Sequence, residues 1–82
     1  MPNQQLAELA FEGRPYLLRV SELSDILGIS RASVYRLVER GDLQATRPML
    51  SGSRGSVRVL RDSAQQLLLR WLEAEATAEP TA

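Results

Sequence analysis

The sequence predicts a mostly helical domain carrying one small β-hairpin, with a short helix near its N-terminus and a longer one near its C-terminus. Three observations lead there. Apolar residues recur at helical spacing in four separate stretches of the 82-residue chain. Gly28 and Gly41-Asp42 interrupt that spacing where a helix has to stop. Ser56-Val57-Arg58-Val59-Leu60 alternates as a strand does, and it follows the turn-rich Ser51-Gly52-Ser53-Arg54-Gly55.

Taken in order, residues 4–11 place Leu6, Leu9 and Ala10 on one face of a one- or two-turn helix closed by Gly13. Arg14-Pro15-Tyr16 is a connector, because Pro15 disfavours helix in the residue before it. Ser21 is the expected N-cap of a helix over residues 22–27, with Val20, Leu23, Ile26 and Leu27 on one face. Gly28 ends it and Ile29-Ser30 forms the turn. Ser30 caps a second helix over residues 31–40, with Val34, Leu37 and Val38 inward. The partner of the alternating strand is expected at residues 44–47, where Pro48 suits a sheet edge. Asp62, with Gln65 three residues on, is expected to open the last helix. Its inward stripe runs through Ala64, Leu67, Leu68, Trp71 and Leu72, so Trp71 is read as core. The division expected is an N-terminal extension over residues 1–15, a domain over 16–76 and a flexible tail over 77–82.

Composition removes most chemistries. The chain has no cysteine and no histidine, which excludes disulfides, thiolate nucleophiles, imidazole acid–base catalysis and His- or Cys-built metal sites. No paired carboxylates or phosphate loop can be assembled, and Glu39 and Asp42 flank Gly41 as helix-end charges. The expectation is a non-enzymatic binding protein with no cofactor, no metal and no catalytic residue. No apolar run exceeds three residues, so no segment spans a membrane, and no signal-peptide pattern opens the chain. A cytoplasmic location follows as an expectation.

Charge is zero overall but unevenly placed. Residues 1–13 carry −2 and residues 71–82 carry −3, with no base in either stretch. Residues 14–70 hold all ten arginines against five acids. Acidic ends flank a basic middle, a distribution that fits a nucleic-acid partner even at zero net charge, with scattered surface charge as the alternative until the arginines are placed on elements.

The order short helix, tight turn, second helix, hairpin and third helix matches a helix-turn-helix with a following hairpin. Gly28 sits where that turn demands positive φ. Leu23, Leu27, Ile29, Val34 and Leu37 fill the positions that lock the two helices, and Ser24 sits where a small residue lets them approach. At about 100° per residue, the inward line of the second helix turns Ala32, Arg36 and Glu39 outward. A helix that enters the major groove needs a small N-terminal surface and donors for base edges and phosphates. The candidate DNA contacts on it are therefore Ser30, Arg31, Ala32, Ser33, Tyr35, Arg36 and Arg40. Arg31 and Arg36 suit guanine edges, whereas Tyr35 and Arg40 suit phosphates.

The stretch LLRVSELSDILGISRASVYRLVERGDL, the Gly/Arg-bearing hairpin and the closing helix together resemble the MerR-like winged helix-turn-helix of excisionases and AlpA-like prophage regulators. The resemblance covers residues 17–72, and Ser30-Arg31-Ala32-Ser33-Val34-Tyr35-Arg36 is its most specific part. It implies a recognition helix in the major groove and a wing in the adjacent minor groove. By position the wing residues are Arg47, Ser53, Arg54 and Arg58. It also implies a bacterial or phage-encoded protein that acts as an excision factor, a transcriptional regulator or both, with an integrase or recombinase as a possible partner. Leu69, Leu72 and Ala76 of the closing helix are candidates for a protein contact, including self-association on DNA. Two alternatives stay open. Asp62-Ser63-Ala64 and Trp71 are similar to features of phage terminase small subunits. A winged protein-interaction module, an adaptor or antitoxin that does not use DNA, is the other.

Overall fold

Four amphipathic stretches become helices and three short extended ones become a sheet in a computed structural model of the chain, which describes residues 2–46 and 57–77, with side chains to residue 75. The order is α1 (Asn3–Ala10), β1 (Leu17–Arg19), α2 (Val20–Leu27), α3 (Arg31–Glu39), β2 (Ala45–Thr46), β3 (Arg58–Leu60) and α4 (Arg61–Thr77). The mostly helical architecture with a short first helix and a long last one is the expected one.

The sheet has one strand more than the expected hairpin. It is antiparallel in the order β1-β3-β2, so β3 is the central strand. Leu18 and Ala45 both stand opposite Val59, and Leu18 and Val59 are fully buried. Alternation then puts Arg19, Arg58 and Thr46 together on the other face. Strand β1 is three residues long, too short for alternation to show in sequence, and it exists because the free edge of β3 offers it partners. The connector before it is fastened by Arg61, whose backbone N–H donates to the Tyr16 carbonyl at 2.8 Å and whose guanidinium donates to the Arg14 carbonyl at 2.7 Å.

Two helix starts differ from expectation for one reason: a strand runs into each helix with no linker. Helix α2 begins at Val20, so Ser21 lies inside its first turn and is not the N-cap. Glu22 Oε1 instead accepts from the Arg19 backbone N–H at 3.1 Å. Helix α4 begins at Arg61, directly after β3, which puts Asp62 in the first turn as well. The Ser63 hydroxyl takes the tethering role, accepting from the Gln44 N–H at 3.0 Å and donating to the Leu60 carbonyl at 2.8 Å.

The core draws on nearly every element: Phe11, Leu18, Val20, Leu23, Val34, Leu43, Val59, Ala64 and Leu67. Helix α1 lies along α4, and Ala7 and Phe11 are buried. The segment before residue 16 thus adds Phe11 to the core shared by the other helices.

Candidate nucleic-acid interface

Helix α3 is held by the turn before it. Gly28 has φ +68°, a left-handed conformation that a side chain would strain by about 1–2 kcal/mol. Its N–H and that of Ile29 both donate to the Ser24 carbonyl, at 2.9 and 3.2 Å. The Ser24 hydroxyl donates forward to the Ile29 carbonyl, closing the same turn from the other side. A serine at the small-residue position therefore allows the helices to approach and adds a bond that alanine lacks.

Ser30 begins α3 as expected. Its hydroxyl accepts from the Ser33 N–H at 3.1 Å and shares a hydrogen bond with the Ser33 hydroxyl at 2.9 Å. Val34 is fully buried, and Leu37 and Val38 pack partly buried against the core. The remaining face carries Arg31, Ala32, Tyr35, Arg36, Glu39 and Arg40, all exposed. Helical periodicity alone placed Ala32, Arg36 and Glu39 there. Arg40 is paired through Nε to Asp42 at 3.4 Å. Neither Arg31 nor Arg36 has an ion-pair partner among the described residues.

Two clefts border this helix. On the sheet side, a cleft of about 240 Å³ is lined by Arg19, Val20, Ser21, Arg31, Tyr35, Val57 and Arg58. Three arginines from three elements converge on it, and no carboxylate lines it among the described residues. Arg58 also donates to the Val57 carbonyl at 3.3 Å. On the α4 side, a cleft of about 200 Å³ is lined by Ile29, Ser33, Arg36, Leu37, Arg40 and Trp71.

Trp71 corrects a sequence expectation. Read as core, it is 37% exposed and forms a wall of that second cleft. The stripe on α4 does turn inward at Ala64 and Leu67, which are buried. A stripe predicts which way a side chain points, not how far the neighbouring helix extends to cover it. Leu69 and Leu72 are half-buried. Arg47, Ser53 and Arg54 lie outside the described residues, as do residues 78–82 of the tail expected over 77–82, whose first residue, Thr77, ends α4, and the side chain of Ala76.

Arg19 and Ser21 line the sheet-side cleft, although nothing in the sequence marks them as contacts. Their signal is tertiary, since only the pairing of β1 with β3 brings them beside Arg31 and Arg58. Among the described residues no group of His, Cys, Asp or Glu side chains is placed to hold a metal ion, and no helix is long and apolar enough to cross a membrane. No curated protein and no solved structure matches the chain. A family model described as a helix-turn-helix domain does match, over residues 17–76, from β1 almost to the end of α4. By that match, and by the α2–turn–α3 geometry built around Gly28, the chain belongs to the helix-turn-helix domain family.

Proposed function

We propose that this protein is a sequence-specific double-stranded DNA-binding protein of a phage or mobile element, acting as an excision factor, a transcriptional regulator or both. The observation that carries the reading is the exposed face of α3. It offers a small N-terminal surface at Ala32 and Ser33, beside Arg31 and Arg36, neither of which is ion-paired among the described residues. Such a face fits the major groove, where a guanidinium forks to guanine O6 and N7. Arg36 reads bases, Arg31 reaches a base or a phosphate near the helix start, and Ser30, Tyr35 and Arg40 hold the backbone. Arg47, Ser53, Arg54 and Arg58 form the wing toward the neighbouring minor groove, where narrow A·T tracts attract arginine. Leu69, Leu72 and Ala76 serve contact with a second copy or a recombinase.

Binding by the full chain to upstream and attachment-site DNA tests the reading. Footprints are expected on both if the protein serves excision and regulation. Arg36→Ala is expected to weaken specific binding by roughly 1–3 kcal/mol and to blur the preference at one or two base pairs. The affinity is expected to fall with salt at a log–log slope of about −0.9 for each phosphate contact. An unchanged ratio of specific to non-specific affinity in Arg36→Ala removes α3 from the major groove. A flat salt response favours a protein-interaction module.

A further inference from the structure

The β1–β3 ladder sets two arginines side by side. Arg19 and Arg58 stand directly opposite each other in the β1–β3 ladder and on the same face. Directly opposed side chains in an antiparallel pair have Cβ atoms about 4.5–5.5 Å apart, and like charges there repel. Arg31, from the first turn of α3, lines the same cleft, and so do the hydroxyl-bearing Ser21 and Tyr35. Neither Arg19 nor Arg31 has an ion-pair partner among the described residues. The one nearby carboxylate that Arg19 engages, Glu22, meets its backbone N–H and is itself paired to Arg14 at 3.9 Å. Three cations are thus gathered around one opening with hydroxyl donors between them.

We propose that this cleft holds a single phosphodiester of the DNA backbone, clamped by Arg19, Arg31 and Arg58, with Arg19 as the determining residue. The proposal rests on the DNA-binding reading above and adds to it Arg19 on β1, beside Arg31 of the recognition helix and Arg58 at the base of the wing. The placement suits the duplex. A helix in the major groove and a hairpin toward the next minor groove straddle one phosphate strand, and the cleft lies between α3 and the base of β3. Guanidinium forks match phosphate oxygens in pairs, and an anion in the cleft is attracted by each arginine that lines it. The contact is blind to sequence, so it sets register and affinity while α3 reads bases.

The test uses Arg19→Gln in the full chain, because glutamine keeps the backbone N–H that Glu22 needs. The DNA is a short duplex selected by the wild-type protein from a random-sequence pool. Arg19→Gln is expected to lose roughly tenfold in affinity on specific and non-specific duplexes alike. Its salt slope is expected to be shallower by about 0.9, the value of one phosphate contact. Without DNA its melting temperature is expected to equal or exceed that of the wild type, because one of two opposed like charges is gone. A purely structural role for Arg19 predicts a drop. Duplexes with one phosphodiester replaced by a neutral methylphosphonate then locate the contact: wild type loses affinity at one phosphate where Arg19→Gln loses nothing further.

Unchanged DNA affinity in Arg19→Gln overturns the proposal. So does a loss that adds to every methylphosphonate, since no single phosphate is then held. If inorganic phosphate raises the melting temperature of wild type and not of Arg19→Gln while DNA affinity is untouched, the cleft is a free-anion site and the backbone clamp is wrong. A wild-type chain that selects no duplex overturns the DNA reading itself, a failure distinct from the others.

Discussion

The two flanks of helix α3 are built on opposite principles. Toward the sheet, the flank is polar and cationic: Arg19, Arg31 and Arg58 line a cleft without a described carboxylate. Toward α4, the flank is a cleft lined by an indole and two aliphatic side chains, Trp71, Ile29 and Leu37, and one of its two arginines is already paired to Asp42. One nine-residue helix therefore carries a cationic side and a more apolar side whose charge is partly neutralised. So short a helix is thereby both held and exposed. Its single fully buried residue, Val34, anchors it, and Trp71 forms a wall of the cleft on one side.

The largest effect is expected where both flanks depend on one side chain. Val34→Ala removes two methyl groups from a fully buried position and is expected to cost about 2 kcal/mol, read from urea denaturation. Because α3 loosens as a whole, DNA affinity on all sequences should fall with it. A loss confined to one class of sequence would mean that the flanks are anchored separately.

Trp71, in the wall of the α4-side cleft, gives the next effect. Trp71→Ala is expected to cost roughly 1–2 kcal/mol of stability and to reduce the ratio of specific to non-specific DNA affinity, while Trp71→Phe restores most of both. Thermal melts of the three proteins, set beside their binding ratios, check this. A stability loss with an intact ratio would reduce Trp71 to packing alone and leave Arg36 positioned by α3 itself.

Asp42→Asn sharpens the contrast with the smallest change. The Arg40–Asp42 pair is exposed, so stability is expected to move by no more than about 0.5 kcal/mol. Releasing Arg40 gives the α4-side flank a free cation, and non-specific DNA affinity at low salt should rise a few-fold. Titration at two salt concentrations measures it. No change at low salt would show that Arg40 already reaches the phosphate while paired.

Much of the helix-turn-helix was written in local signals. Gly28, the Ser30 cap and the line Val34, Leu37 and Val38 specify where two helices meet and which face of the second remains outside. These are short-range effects: a left-handed residue, a hydroxyl within reach of an N–H three positions on, and a 3.6-residue period. The strand of Val59 was legible for the same reason, since alternation needs only its own residues.

The tertiary structure alone decided the rest. Strand β1 has no period of its own to read, and it forms because β3 has an edge to fill; its arrival moved the starts of α2 and placed Arg19 opposite Arg58 across some forty residues of sequence. Trp71 faced the direction its helical position dictates, yet its exposure was set by where α3 ends and α4 continues. Direction follows from a residue's own backbone, whereas burial and company depend on what another element brings alongside. That is why the exposed face of α3 could be read from the chain and the arginine cleft beside it could not.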